Sequence, residues 1–166
     1  MKALSIKEPF ASLISLNIKN IETRSWKTNY RGEIYIHASL SKYDSKDVER
    51  MNKLKNLLPD DYEFRRGNII CKAYLSDCIY MDDKFIESIK KDEIEYLCGN
   101  YSLVRYAWVL KDVKMVDEIP IKGKLGIWNF EIWQKNLRKN NLSDIIKLED
   151  GHLFLPSLLK AGDYNV

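Results

Sequence analysis

The chain has 166 residues, 45% of them hydrophobic and 31% charged, with a net charge of +3. That balance belongs to an ordinary globular protein and excludes a disordered or collagen-like chain, and the length suits one domain with a core large enough to need no disulfide or metal staple. A charge of +3 is too small for the molecule as a whole to act as a polyanion magnet, and no apolar run approaches the roughly 20 residues of a membrane span.

The opening, MKALSIKEPF, is charged and lacks an apolar stretch, so no leader peptide is expected. Residues 2–6 predict a short strand with Leu4 and Ile6 on one face. Pro9 suits a first helical turn, and Phe10, Leu13 and Ile14 form the stripe of the helix that follows. From Ile21 the pattern alternates, and a period of two puts Glu22, Arg24 and Trp26 on one face. A turn at residues 29–32 leads into a strand carrying Ile34, Ile36 and Ala38. Residues 44–58 predict the clearest helix, capped by Asp44 or Ser45, with Val48, Met51, Leu54 and Leu58 inward.

Gly67 opens a long strand to Ile79, in which Ile69, Cys71, Ala73 and Leu75 alternate with Lys72 and Tyr74. A helical region over residues 82–97 breaks near Lys91 and Asp92 and ends at Gly99. Strands are expected at 104–110 and 125–133, whereas 136–166 lacks a strong period. Strands at both ends with helices between them predict an α+β domain over residues 1–133, followed by an appendage at 134–166.

The chemistry is defined first by what is missing. Cys71, Cys78 and Cys98 form no CxxC pair and are odd in number, which points to a reducing, cytoplasmic setting. His37 and His152 have no partners at ligand spacing, so no metal is expected, and no phosphate-binding glycine loop or nucleophile elbow occurs. His37, at a strand end, reads as a packing or hydrogen-bonding residue. Charge, however, is uneven. Lys19, Arg24, Lys27 and Arg31 face a single acid, Glu22, within residues 19–31, whereas residues 67–99 carry four basic and seven acidic side chains. A local cationic loop attracts phosphate or another anion, unless its lysines are merely solvated surface.

The same loop carries a resemblance. LNIKNIETRSWKTNYRGEIYIHAS, after the opening MKALSIKEPFASLI, resembles the ASCH family, the activating signal cointegrator homology domain, whose signature is G-x-K-x-x-E-x-R. Here the pattern is N-x-K-x-x-E-x-R, on Asn17, Lys19, Glu22 and Arg24, and YAWVLKDVKMVDEIPIKGKLGIWNF resembles the end of bacterial members. Asn17 replaces the glycine, and asparagine tolerates left-handed backbone better than most residues.

The resemblance implies a PUA-like fold: a small, partly open β-barrel of mixed and antiparallel strands with helices at its ends. It also implies a cleft lined by the signature loop that binds RNA or a modified nucleotide. An amidase branch of related proteins has a threonine nucleophile where this chain has Glu22. Thr23 is next to that position but on the opposite face, so that constellation does not carry over.

Read physically, Glu22 between Lys19 and Arg24 is either an ion-pair cluster pinning the loop or a polar pocket whose carboxylate takes a ligand's amino groups. Lys19, Arg24, Lys27 or Arg31 would hold phosphate, and Trp26 and Tyr30 would stack bases, with Tyr74 a further aromatic candidate. The expected partner is thus single-stranded RNA or a nucleotide, with no cofactor and no membrane. Two alternatives remain: a metal-independent hydrolase of a nucleoside or RNA using Lys19, Glu22 and Arg24, and a protein-interaction domain.

Overall fold

A computed structural model describes residues 1–41, 47–131, 146–147 and 153–154. The chain divides into two units, Met1–Phe130 and Glu131–Val166. In the second, the described residues form one antiparallel pair, β7 (Ile146–Lys147) with β8 (Leu153–Phe154); the rest of the expected appendage lies outside the described residues.

In the first unit the alternating segments become β1 (Lys2–Ile6), β2 (Ile21–Arg24), β3 (Gly32–Ala38), β4 (Asn68–Tyr80), β5 (Tyr106–Pro120) and β6 (Ile127–Asn129). They make one six-stranded sheet in the order β2-β5-β4-β3-β1-β6. Only β1 and β3 are parallel; the other neighbours are antiparallel. The sheet curls into a half-barrel. Arg24, on edge strand β2, reaches the Ser5 carbonyl on β1 at 3.0 Å, although three strands separate β2 from β1 in the sheet. The architecture is thus α+β with a partly open barrel, as the sequence predicts.

Helix α1 (Phe10–Ser15) is buried along its whole length and packs on β3, β4 and β5. Its apolar residues join Leu4, Ile6, Ile34, Ile36, Leu75 and Trp108 in the core. Each such side chain contributes about 1.5–3 kcal/mol when fully buried, and together they hold the strand ends rigid where the site forms. Glu8, also buried, accepts from the Ser12 N–H and hydroxyl at 3.0 and 2.9 Å, tying the start of α1 to its first turn.

Three elements differ from the sequence reading. Helix α2 spans Val48–Lys55 rather than 44–58, and Asp47 caps it by accepting from the Arg50 N–H at 2.9 Å. Val48 is therefore the first helical residue, 65% exposed beyond the core's edge, while Leu54 and Leu58 are buried; Asp44 and Ser45 lie outside the described residues. The expected break does occur, between α3 (Asp83–Ile89) and α4 (Glu93–Cys98). Strand β5 starts two residues later than expected and runs on to Pro120, whereas β6 is only three residues long. Among the described residues, no helix is long and apolar enough to cross a membrane.

Candidate functional site

The turn after α1 places the signature. Asn17 takes the left-handed conformation, φ 58°, so asparagine supplies here the backbone freedom that the glycine of the pattern would. The chain then enters β2 under the control of a residue far away in sequence. Glu95, buried on α4, accepts from the Asn20 and Ile21 N–H groups at 2.7 and 3.3 Å and from the Tyr101 hydroxyl at 2.8 Å. Burial, followed by the Glu95 charge, pushes the Tyr101 hydroxyl far above its ordinary pKa, so it remains a donor.

Anchored in this way, β2 presents Glu22 and Arg24 side by side. Glu22 lies 3.6 Å from Lys19 Nζ and 3.2 Å from Arg24 Nε. Lys19 is fully buried: its ammonium donates to the Ile21 carbonyl and sits 5.9 Å from the centre of the Phe10 ring. Lys19 therefore holds Glu22 from behind, and Arg24, a quarter exposed, flanks it in front.

These residues line a cleft of about 360 Å³ whose remaining wall comes from distant parts of the chain. Among the described residues, six cations border it, Lys7, Lys19, Arg24, Arg50, Arg105 and Lys124, against one carboxylate, Glu22. The three arginines are held mainly by backbone oxygens. Arg24 donates to Ser5, Arg50 to the Leu97 and Gly99 carbonyls at 2.8–3.1 Å, and Arg105 to Thr23 at 3.3 Å. A carbonyl fixes a guanidinium without cancelling its charge, so the cleft keeps a strong positive potential. Arg105 Nε is buried in this wall with no protein hydrogen bond.

Cys98 also lines the cleft, but burial pushes its thiol up to about 11, which keeps it protonated and a poor nucleophile. Thr23, expected on the opposite face, also borders the cleft, and its hydroxyl accepts from the Asn100 N–H at 3.1 Å. Beneath the loop that carries Lys124, His37 Nε2 is 3.0 Å from the Ile121 oxygen, and burial holds its pKa below the usual value. The ring is thus neutral and donates from Nε2, a packing role that suits its place. Gly123 lies so close that a Cβ there would come within 2.4 Å of the imidazole. Among the described residues, no three His, Cys, Asp or Glu side chains gather as metal ligands.

Of the sequence-predicted site residues, Lys19, Glu22 and Arg24 come together in the cleft, and Trp26, Lys27, Tyr30 and Arg31 do not line it. Trp26 packs edge-on against Trp108 at 4.5 Å and accepts its indole N–H. The Tyr30 hydroxyl donates to the Glu33 carbonyl at 2.6 Å, and Arg31 pairs with Asp77 at 3.1 Å. Lys27 is exposed on the same connection. Lys27→Ala and Arg31→Ala are therefore expected to change mononucleotide affinity by no more than about twofold, the size of an ordinary surface substitution, when measured by calorimetric titration. The residues that sequence reasoning missed, Arg50, Arg105, Lys7 and Lys124, meet only through the fold, and Glu95 looked like one acid among seven in an acidic stretch.

The model for the ASCH domain matches residues 4–120 of the chain. Human activating signal cointegrator 1 is 30% identical over 130 residues, a match that covers 77% of this chain and 22% of the human protein. The mouse protein of the same name is 28% identical over 140 residues, with the same coverage of 77% and 22%. The chain thus spans about a fifth of the length of these curated relatives. Among solved structures, a mutant ASCH protein from Zymomonas mobilis aligns with a TM-score of 0.40 and 17% identity, over 71% of this chain and 73% of that one.

Proposed function

The chain belongs to the ASCH domain family, and from that premise we propose that it binds RNA or a nucleotide, modified or not, in the cationic cleft around Lys19, Glu22 and Arg24. The observation that carries this reading is the way Arg24, Arg50 and Arg105 are held. Each donates to a backbone oxygen, and although Glu22 offsets part of the Arg24 charge, Arg50 and Arg105 present theirs to a ligand through a planar guanidinium that matches phosphate in two-point contact. A protein partner's carboxylates could meet such charges, but a cleft of about 360 Å³ has the size of a small-molecule site.

Glu22 gives the site its direction. A carboxylate repels phosphate and offers only acceptors, so it suits the exocyclic amine of cytosine or adenine. The ligand's phosphate would lie on the arginines and its base edge toward Glu22.

A thermal-shift survey of nucleosides, nucleotides and short RNAs tests this directly, because a ligand held only by the folded form raises its stability, by about 2.7 kcal/mol at 100 times Kd. Cytidine and adenosine monophosphates should raise the melting temperature more than their nucleosides do. No shift with any of them would contradict the reading.

A further inference from the structure

The outer face of the sheet carries a second arrangement, none of whose residues lines the cleft. Cross-strand register on β3, β4 and β5 sets two rows side by side: Glu33, Tyr74 and Lys111 in one, Tyr35, Lys72 and Lys114 in the other. Tyr74 is 47% exposed, and Lys111 and Lys114 are exposed as well. Lys72 bonds to Glu33 at 2.7 Å, and that contact, with the charges of Lys72 and Lys114, holds the Glu33 carboxyl below its usual pKa. In these two rows Glu33 is the one carboxylate beside the three ammonium groups of Lys72, Lys111 and Lys114.

The backbone is bent to make it so. Lys111 and Lys114 are three residues apart, and an unbroken strand would point them to opposite faces. Between the pairs Lys72–Lys114 and Tyr74–Lys111 the register shifts, with three residues of β5 spanning two of β4. Asp112 takes up the difference at φ 52°, a bulge in a conformation that L residues rarely adopt. The result brings both lysines to the side of Tyr74 and sets Lys72 directly opposite Lys114, a like-charge pair that costs stability. Tyr30 borders the same row through its bond to the Glu33 carbonyl.

We propose that this face is a second contact surface, for single-stranded nucleic acid, with phosphates on Lys111 and Lys114 and a base stacked on Tyr74. Charge complementarity selects a polyanion, and an exposed aromatic ring set between ammonium groups selects one that also carries flat bases. It would let a strand held by one nucleotide in the cleft make further contacts elsewhere on the domain.

The test uses the full chain and a labelled oligouridylate of about 12 nucleotides, whose bases lack the amine that Glu22 is suited to read. Anisotropy is followed across salt, with and without saturating cytidine monophosphate to fill the cleft. With the cleft filled, oligouridylate binding should persist. Lys111→Ala/Lys114→Ala should weaken it about tenfold and flatten the log–log salt slope by about 1.4, two single-strand phosphate contacts. Tyr74→Ala should weaken it at least about fivefold, and Tyr74→Phe should restore it. All these variants should bind cytidine monophosphate normally. Loss of all RNA binding once the cleft is filled, unchanged binding in the variants, or equal competition by polyglutamate would overturn the proposal. If cytidine monophosphate does not bind, the cleft reading fails, and the variants titrated with RNA alone still decide whether this face is used.

Discussion

Arg24→Ala is expected to lower cytidine monophosphate affinity by about 10- to 150-fold, the loss of one charge-assisted contact of about 1.5–3 kcal/mol. It should also cost about 2 kcal/mol of folding stability. The side chain serves three purposes at once. Its Nε flanks the nearly buried Glu22 at 3.2 Å, its Nη2 joins β2 to the Ser5 carbonyl across the opening of the half-barrel, and its remaining donors face the cleft. Breaking a fully buried ion pair costs about 3–5 kcal/mol, but Arg24 is a quarter exposed, and solvent screening reduces that figure. Arg24→Lys restores the charge without the fork, so it should recover part of the affinity and little of the strand-joining bond. Calorimetric titration gives the affinity and urea unfolding the stability. A loss of stability without a loss of affinity in the protein that remains folded would make Arg24 purely structural.

Where alternation was regular, the sequence was a good guide to the fold. Leu4 and Ile6 mark β1, and Ile69, Cys71, Ala73 and Leu75 mark β4, because one face of each strand meets a continuous core. Beyond Leu110 the pattern of β5 became illegible for a physical reason: the bulge at Asp112 breaks the period of two, so Lys111, Val113 and Lys114 do not alternate as a flat strand would. Val48 looked inward only while the helix was assumed to begin before Asp47. The site was half legible. Lys19, Glu22 and Arg24 follow from one local stretch, the turn after α1 and strand β2, and the family pattern lies on them. Arg50 comes from α2 and Arg105 from the residue before β5, and no local spacing foretells that both border the same cleft. Proximity along the chain also misled in the other direction. Lys27 and Arg31 belong to the same charge run, yet Arg31 turns to Asp77 on β4 and away from the cleft.

Glu22 is where the account is most exposed to refutation. Its carboxylate lies within ion-pair distance of Lys19 and Arg24, and its acceptor oxygens remain available for a ligand's amine. Glu22→Gln keeps the shape, removes the charge and adds an NH₂ donor, which suits the carbonyl of uracil as well as the amine of cytosine. The preference for cytosine should therefore fall by about 1–3 kcal/mol, the usual worth of a good base contact, while total affinity for a phosphate-bearing ligand stays level or rises slightly as a repelling charge disappears. The decisive measurement is the ratio of Kd values for cytidine and uridine monophosphates, taken at fixed salt on the wild-type protein and on Glu22→Gln. The expected result is tighter binding of cytidine monophosphate by the wild type and near-equal binding of the two by the variant. Equal binding by the wild type, or a variant that binds neither because it no longer folds, would show that Glu22 is a structural ion-pair residue and that the cleft does not read bases.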